Sequence, residues 1–460
     1  MLSNDPIWLQ QKNRRLLLEL IVILNQLKVK FPNNLNLTNK IIYIKASEIS
    51  NLEQVFLSPE GRQWIYFVYN ELKNSGKPNT LMLEYAGWLG INQSEVLSYL
   101  IQKLDEFVLT LLMVSGRSVQ ERIVLKFQIG FLLPGLNLFS KISTERIFSL
   151  EPGEAIEIIY SLQGAKICTN QKVGSSKEMI FEKLEASLLY SFCIDSVSEV
   201  SRINIRGREH LPRISSENKD LILKQVKVIE KALAYIKIFD DSIEQYFKDI
   251  RNSFVPLQAP EGALPSSSNS SIDTMFWYSV TDEPMLMAEM IIHEYSHQRL
   301  FRLQDNDPLL DPSIHGSGWE KCDIYSPWRD DPRPINGVFH GFIVFTEASR
   351  FWMSLIKKGE LNQVELEISK RRMAMLVLQL NHARESLTQS RFTAQGEIVF
   401  SFYGDLLTKE LLPYVNEHRL ADLQPFFMEH HDDGLPSGSS ILEVVRKHKT
   451  QWMKRNDQSK

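Results

Sequence analysis

The chain has 460 residues, a formal charge of -4 and three cysteines, Cys168, Cys193 and Cys322, with no paired spacing. That length suits two or three domains with sizeable cores, the near-neutral charge gives no basic footprint for nucleic acid, and the cysteines outline no disulfide framework. No apolar stretch reaches the length of a membrane span, so neither nucleic acid nor a membrane is an expected partner, and a reducing cytoplasm is the simplest setting.

Near the start, Lys12-Asn13-Arg14-Arg15 precedes the apolar run Leu16 to Leu24. This is the order of a signal peptide, but Glu19 interrupts it and no small-residue cleavage site follows. Apolar residues recur at helical spacing in Leu16 to Leu27, Trp64 to Leu72 and Val96 to Val114, which predicts a helical amino-terminal domain over residues 1–145. Residues 146–252 read as a mixed region. In it Glu151-Pro152-Gly153-Glu154 turns into Ala155 to Leu162, and Leu221 to Ile236 has the pattern of a long amphipathic helix.

Residues 253–460 are expected to carry the chemistry. Gly262 to Ser271 reads as a hydroxyl-rich loop, able to position an extended peptide or simply to face solvent, and Met275 to Val280 as a short strand. Asp282-Glu283-Pro284 then starts a helix packed through Met287, Met290, Ile291 and Leu300. That helix holds His293-Glu294-Tyr295-Ser296-His297, two imidazoles on one face with a carboxylate beside them. Such a pair can close on one metal ion, although two buried histidines can equally bond to backbone or carboxylates.

A metal needs at least one further protein ligand. His340 is the best candidate: Gly337 and Gly341 flank it, Pro332 and Pro334 stiffen the approach, and a helix from Val338 to Trp352 would place it in the first turn. Glu347, seven residues on, and Glu289, one turn before His293, are the alternatives. A His-His-Glu set suits a zinc hydrolase, whereas three nitrogens suit zinc, iron or copper. After a turn at Lys357 to Glu360, a helix from Asn362 to Arg384 is predicted, with Glu367 and Arg371 four apart. Val364, Ile368, Met375, Leu376 and Leu380 would pack it behind the metal helix. His382 reads as structural, and the closing segment as a packed cap with an exposed basic tail.

Three ordered segments give the pattern specificity: Leu286 to His297, Tyr325 to Pro334, and Gly337-Val338-Phe339-His340-Gly341. From about Pro256 to Thr388 the chain resembles the HExxH-domain proteins found beside genes for ribosomally made peptides, a group described as peptide β-hydroxylases. The predicted elements together give an α+β, predominantly helical fold, with a metal-binding HExxH helix, a distal histidine helix, short strands beside the site and a helical amino-terminal region. The resemblance implies iron(II), 2-oxoglutarate and O2 as cofactors, with hydroxylation of a side-chain β-carbon in a precursor peptide. His293, His297 and His340 would hold the iron, and Glu294 would orient a ligand or bound water.

The distal carboxylate of 2-oxoglutarate asks for a cation, and an arginine fork suits it. Arg329 and Arg333 are the first candidates, Arg384 and Arg391 the reserves. Trp328, Tyr325, Phe339 and Phe342 would line the enclosure or serve as ordinary core. The rival readings are a zinc metallopeptidase in which Glu294 activates water, and a non-catalytic leader-peptide binding protein that keeps a structural metal.

Overall fold

The protein is described by a computed structural model over residues 6–57, 59–73, 92–115, 219–243, 252–257, 266–270, 272–425 and 438–457, together with nine short strands between 126 and 194. It is α+β and predominantly helical, and falls into two units. The first comprises Met1–Val226, Tyr246–Gln258 and Ser271–Trp277, and the second Lys227–Gln245, Ala259–Ser270 and Tyr278–Lys460. Residues 227–245 thus group with the later part of the chain, while the strand Asn252–Leu257 and most of Ile272–Ser279 group with the earlier part. No described helix is long and apolar enough to cross a membrane.

The first unit opens with α1 (Pro6–Lys30), α2 (Leu35–Ala46), α3 (Ile49–Phe56), α4 (Pro59–Lys73) and α5 (Val96–Ser115). Three of these are the helices that periodicity predicts. Leu20, Ile23, Leu24 and Leu27 give α1 a buried stripe at helical spacing. Phe56 stacks on Phe107 with centroids 4.9 Å apart, and the Trp64 indole N–H beside them donates to the Leu100 carbonyl at 2.7 Å, satisfying a donor that burial would otherwise strand. Further along, Ala155–Ser161, Gly164–Asn170 and Ser176–Lys183 pair antiparallel, and Phe192–Ile194 pairs parallel with Asn252–Leu257. The expected turn at 151–154 lies outside the described residues.

The second unit takes the later part of α6 (Lys219–Phe239) and then α7 (Pro284–Gln304), α8 (Pro312–His315), α9 (Ile335–Lys358), α10 (Gln363–Leu387), α11 (Ala394–Asp405), α12 (Leu412–Glu417) and α13 (Ile441–Asp457). Helices α7, α9 and α10 make its centre. Met287, Ile291, Ile292 and Tyr295 of α7, Val338, Phe342, Ile343 and Trp352 of α9, and Met373, Leu376, Val377 and Leu380 of α10 are all buried. Asn362 caps α10 by accepting from the Val364 and Glu365 N–H groups, while Glu365 accepts from the Asn362 N–H, a complete capping box. Of the residues expected to pack α10, Leu376 and Leu380 do so, but Val364 is exposed, because its place in the first turn projects past the packed face.

Candidate functional site

Helix α7 starts where Pro284 supplies a first-turn residue with no N–H to satisfy. Glu289, His293, His297, Phe301 and Gln304 follow one another along a single side of it at steps of three or four residues. Helix α9 starts at Ile335, three residues before the expected Val338, so His340 stands in the second turn rather than the first. The reason is local: Pro334 is extended and fixes the first helical residue, and the Asn336 N–H, which has no partner inside the helix, donates to the Gly318 carbonyl at 3.1 Å.

The two helices bring His297 Nδ1 within 3.2 Å of His340 Nδ1. One turn earlier, the His293 ring lies 4.8 Å from that of His297, centroid to centroid. His340 is buried, and burial first, then the neighbouring His297, holds its pKa well below the ordinary imidazole value. Glu294 is buried and accepts the Ser266 hydroxyl at 2.6 Å, with the His293 ring nitrogen 4.0 Å away.

Among the described residues no three His, Cys, Asp or Glu side chains already converge as a metal-holding group. The donor pair nonetheless fits one. Two nitrogens about 2.0–2.1 Å from a tetrahedral ion lie roughly 3.3 Å apart, and His297 and His340 stand at that separation. His293, whose side chain keeps 17 % of its surface exposed, must turn its ring to join them.

The two carboxylates weighed as alternative ligands are engaged elsewhere. Glu289 receives Arg372 through Nε and Nη2 at 2.8 and 2.6 Å and the Trp352 indole N–H at 2.7 Å. Glu347 accepts Tyr403 Oη at 2.8 Å and Arg350 at 2.7 Å. Both are held by partly buried arginines, so neither offers a metal an uncommitted oxygen pair.

Of the four aromatics expected to line an enclosure, one approaches the histidines. Trp328 stacks on Phe345 at 4.7 Å, and Phe345 meets His293 at 4.6 Å. Gly341 makes this possible, since a Cβ there would sit 2.6 Å from the Trp328 ring. Tyr325 instead bonds His448 Nδ1 at 2.9 Å and packs on Trp452, while Phe339 meets Phe392 and Phe342 meets Phe400. These three sit in neighbouring aromatic clusters because their helical or loop positions turn them away from α7.

The arginines lie apart from one another in character. Arg333 faces Asp331 at 3.5 Å. Arg329 keeps an exposed face, yet the protein packed round its guanidinium and the nearby Arg333 charge push its pKa down. Arg384 carries a buried Nε with no hydrogen-bond partner among the described residues, close to Gly404. Arg391 is exposed, with its backbone N–H on His315. His382 bonds Glu385, in keeping with a structural role.

Sequence reasoning missed Gln304, Phe301, Trp319 and Phe345. Phe301 packs against both His297 and His340, Trp319 meets the edge of His340, and Gln304 Oε1 stands 2.9 Å from His340 Nε2. The available signal was spacing: Phe301 and Gln304 extend the stripe of His293 and His297, and Phe345 is one turn past Gly341. Of the hydroxyl-rich stretch, Ser266–Asn269 is a strand, the last in the order of its sheet, lying against α7; residues 262–265 are outside the described set. No protein-family model matches the chain, and no curated protein matches it in sequence.

Proposed function

We propose that the protein is an iron(II)- and 2-oxoglutarate-dependent hydroxylase acting on a side-chain β-carbon of a ribosomally made precursor peptide, in the cytoplasm. The observation that carries this reading is the meeting at 3.2 Å of His297 and His340, 43 residues apart in the chain and on different helices, while Glu289 and Glu347 are tied to arginines. That favours a three-nitrogen ligand set over a His-His-Glu one.

His293, His297 and His340 would hold the metal, with His340 neutral and therefore able to offer a lone pair. When bound, iron with 2-oxoglutarate and O2 supplies the oxidising power for a C–H hydroxylation that amino-acid side chains alone cannot perform. Glu294, fixed by Ser266, holds its carboxylate beside His293. Trp328 and Phe345 keep water from one side of the His293 ring. Arg329 and Arg333, two neighbouring guanidinium groups whose mutual repulsion an anion would relieve, and Arg384, with its buried unpartnered Nε, are the groups that would take the distal carboxylate. The strand Ser266–Asn269 ends its sheet beside α7, where an extended peptide could add its backbone as a further strand.

The test is anaerobic reconstitution with iron(II), followed by O2 and 2-oxoglutarate, measuring succinate with and without candidate precursor peptide. Peptide-stimulated succinate and a peptide heavier by one oxygen are expected. Absence of succinate at verified iron occupancy and with a verified peptide substrate overturns the reading. Peptide fragments formed with zinc, and lost in Glu294→Gln, would replace it with a metallopeptidase.

A further inference from the structure

We propose that Gln304 and Asn336 are positioning residues: a relay of amide hydrogen bonds anchored on the Ser317 carbonyl fixes His340 with its proton on Nε2 and its lone pair on Nδ1, facing His297. The inference rests on the reading of His340 as a metal ligand and adds two residues and an atom assignment to it.

One group in this relay cannot change its role. The Ser317 backbone carbonyl only accepts, and Asn336 Nδ2 stands 3.3 Å from it. The amide nitrogen of Asn336 therefore faces the loop, and its oxygen faces Gln304, whose Nε2 donates to it at 3.1 Å. Gln304 is then left with its carbonyl oxygen towards His340 Nε2, at 2.9 Å. An amide oxygen cannot donate, so His340 Nε2 must carry the hydrogen, and in the neutral ring Nδ1 is then bare. Turning either amide over would set two acceptors or two donors against each other in a partly buried place, leaving polar groups unsatisfied.

The anchor is rigid. Asn336 is buried, and its backbone N–H is held by the Gly318 carbonyl. Gly318 adopts φ +74°, and a Cβ there would lie 2.9 Å from Leu310 Cδ1 and 3.1 Å from Asn336 Cβ. The loop can thus approach α9 closely only with glycine at this position. Along this path a backbone carbonyl decides which nitrogen of a histidine on another helix is free. Outer partners of this kind orient a metal-binding imidazole and raise its basicity.

The test has two readouts. In metal-free protein with 15N-labelled histidine, the His340 signals, identified by their loss in His340→Ala, are expected to report a single tautomer protonated at Nε2. Gln304→Leu should lose that single state, and Gln304→Glu, which can still accept from Nε2, should keep it. In anaerobic titrations with iron(II), and with cobalt(II) as a spectroscopic probe, Gln304→Leu should bind about 10–100-fold more weakly than wild type, with Gln304→Glu restoring most of the affinity. Titrations are run well below each variant's melting temperature, so a loss of stability alone moves neither readout. If His340→Ala weakens binding but Gln304→Leu does not, the relay fails while the ligand assignment stands. If His340→Ala binds as wild type does, the ligand assignment fails and takes the relay's function with it. Should Gln304→Leu not fold, Asn336→Ser, which removes the bond to Gln304 one step further out, answers the same question by the same readouts, and an unchanged tautomer and affinity there overturn the proposal.

Discussion

The two ends of one stripe on α7 do opposite things with polar groups. At the amino-terminal end Glu289 is closed in a two-pronged pair with Arg372 and capped by the Trp352 indole, so its charge is neutralised and its oxygens are spent. At the carboxyl-terminal end His297 meets His340, and Gln304 continues into Asn336 and Ser317, a chain of imidazoles and amides with no carboxylate or guanidinium in it. The first end ties α7 to α10 and serves the fold. The second brings ring nitrogens together beside a partly open His293 and is the end we propose to hold the metal. Carboxylates near a histidine pair are therefore poor guides to a ligand set until their cations are counted.

Breaking the histidine end should have the largest effect on function. His297→Ala or His340→Ala should lower iron(II) affinity by more than the roughly 10–100-fold expected of an outer partner and abolish oxygenation, as read by equilibrium metal titration and peptide mass. An unchanged affinity in His340→Ala would return attention to the carboxylates.

Breaking the charged end should instead unfold the protein while sparing the metal. Glu289→Gln leaves the partly buried Arg372 without its counter-charge, and should cost up to about 3 kcal/mol of stability, measured by urea midpoint. The iron(II) affinity of the remaining folded protein should stay within about threefold of wild type, since tenfold corresponds to about 1.4 kcal/mol and no metal-facing group is altered. A matching loss of metal affinity would show that the two ends are not separate.

Gly318→Ala tests how firmly the loop under Asn336 is held. A left-handed backbone and the contact with Leu310 together predict a loss of about 1–3 kcal/mol, visible as a lower melting temperature. A variant as stable as wild type would mean that the loop yields.

The smallest expected effect is on pH dependence in metal-free protein. His340 has a folded-state pKa below its unfolded value of about 6.5, so the unfolded chain binds more protons between the two values. Its contribution is fully present above pH ~6.5 and is lost as pH falls from there towards the folded value. Replacing it by Gln should flatten that part of the urea-midpoint profile. An unchanged slope would assign the dependence to other groups.

Local chemistry was legible wherever a residue's role depends on its neighbours in sequence. Pro284, the Asn362–Glu365 box and the apolar spacing of α1, α4 and α5 announce helices because capping and amphipathic burial are properties of short segments. The start of α9 was misplaced because its first-turn donor is satisfied by Gly318, a residue from another loop. Which aromatics stand near the histidines was left open for a similar reason: Tyr325, Phe339 and Phe342 are as aromatic as Trp328, and only their neighbours in space separate them.

The sequence by itself determined that two imidazoles stand one turn apart on a packed helix, that a third follows two prolines, and that the chain is predominantly helical. Helical period and backbone restriction act over a few residues, and that range is enough for those conclusions. Tertiary structure decided which third group reaches the pair, which carboxylates are already held by arginine, and which amide fixes the His340 tautomer. Each of those outcomes is a contact between segments tens of residues apart. Its energy depends on distance, burial and hydrogen-bond direction, none of which a linear order of residues contains.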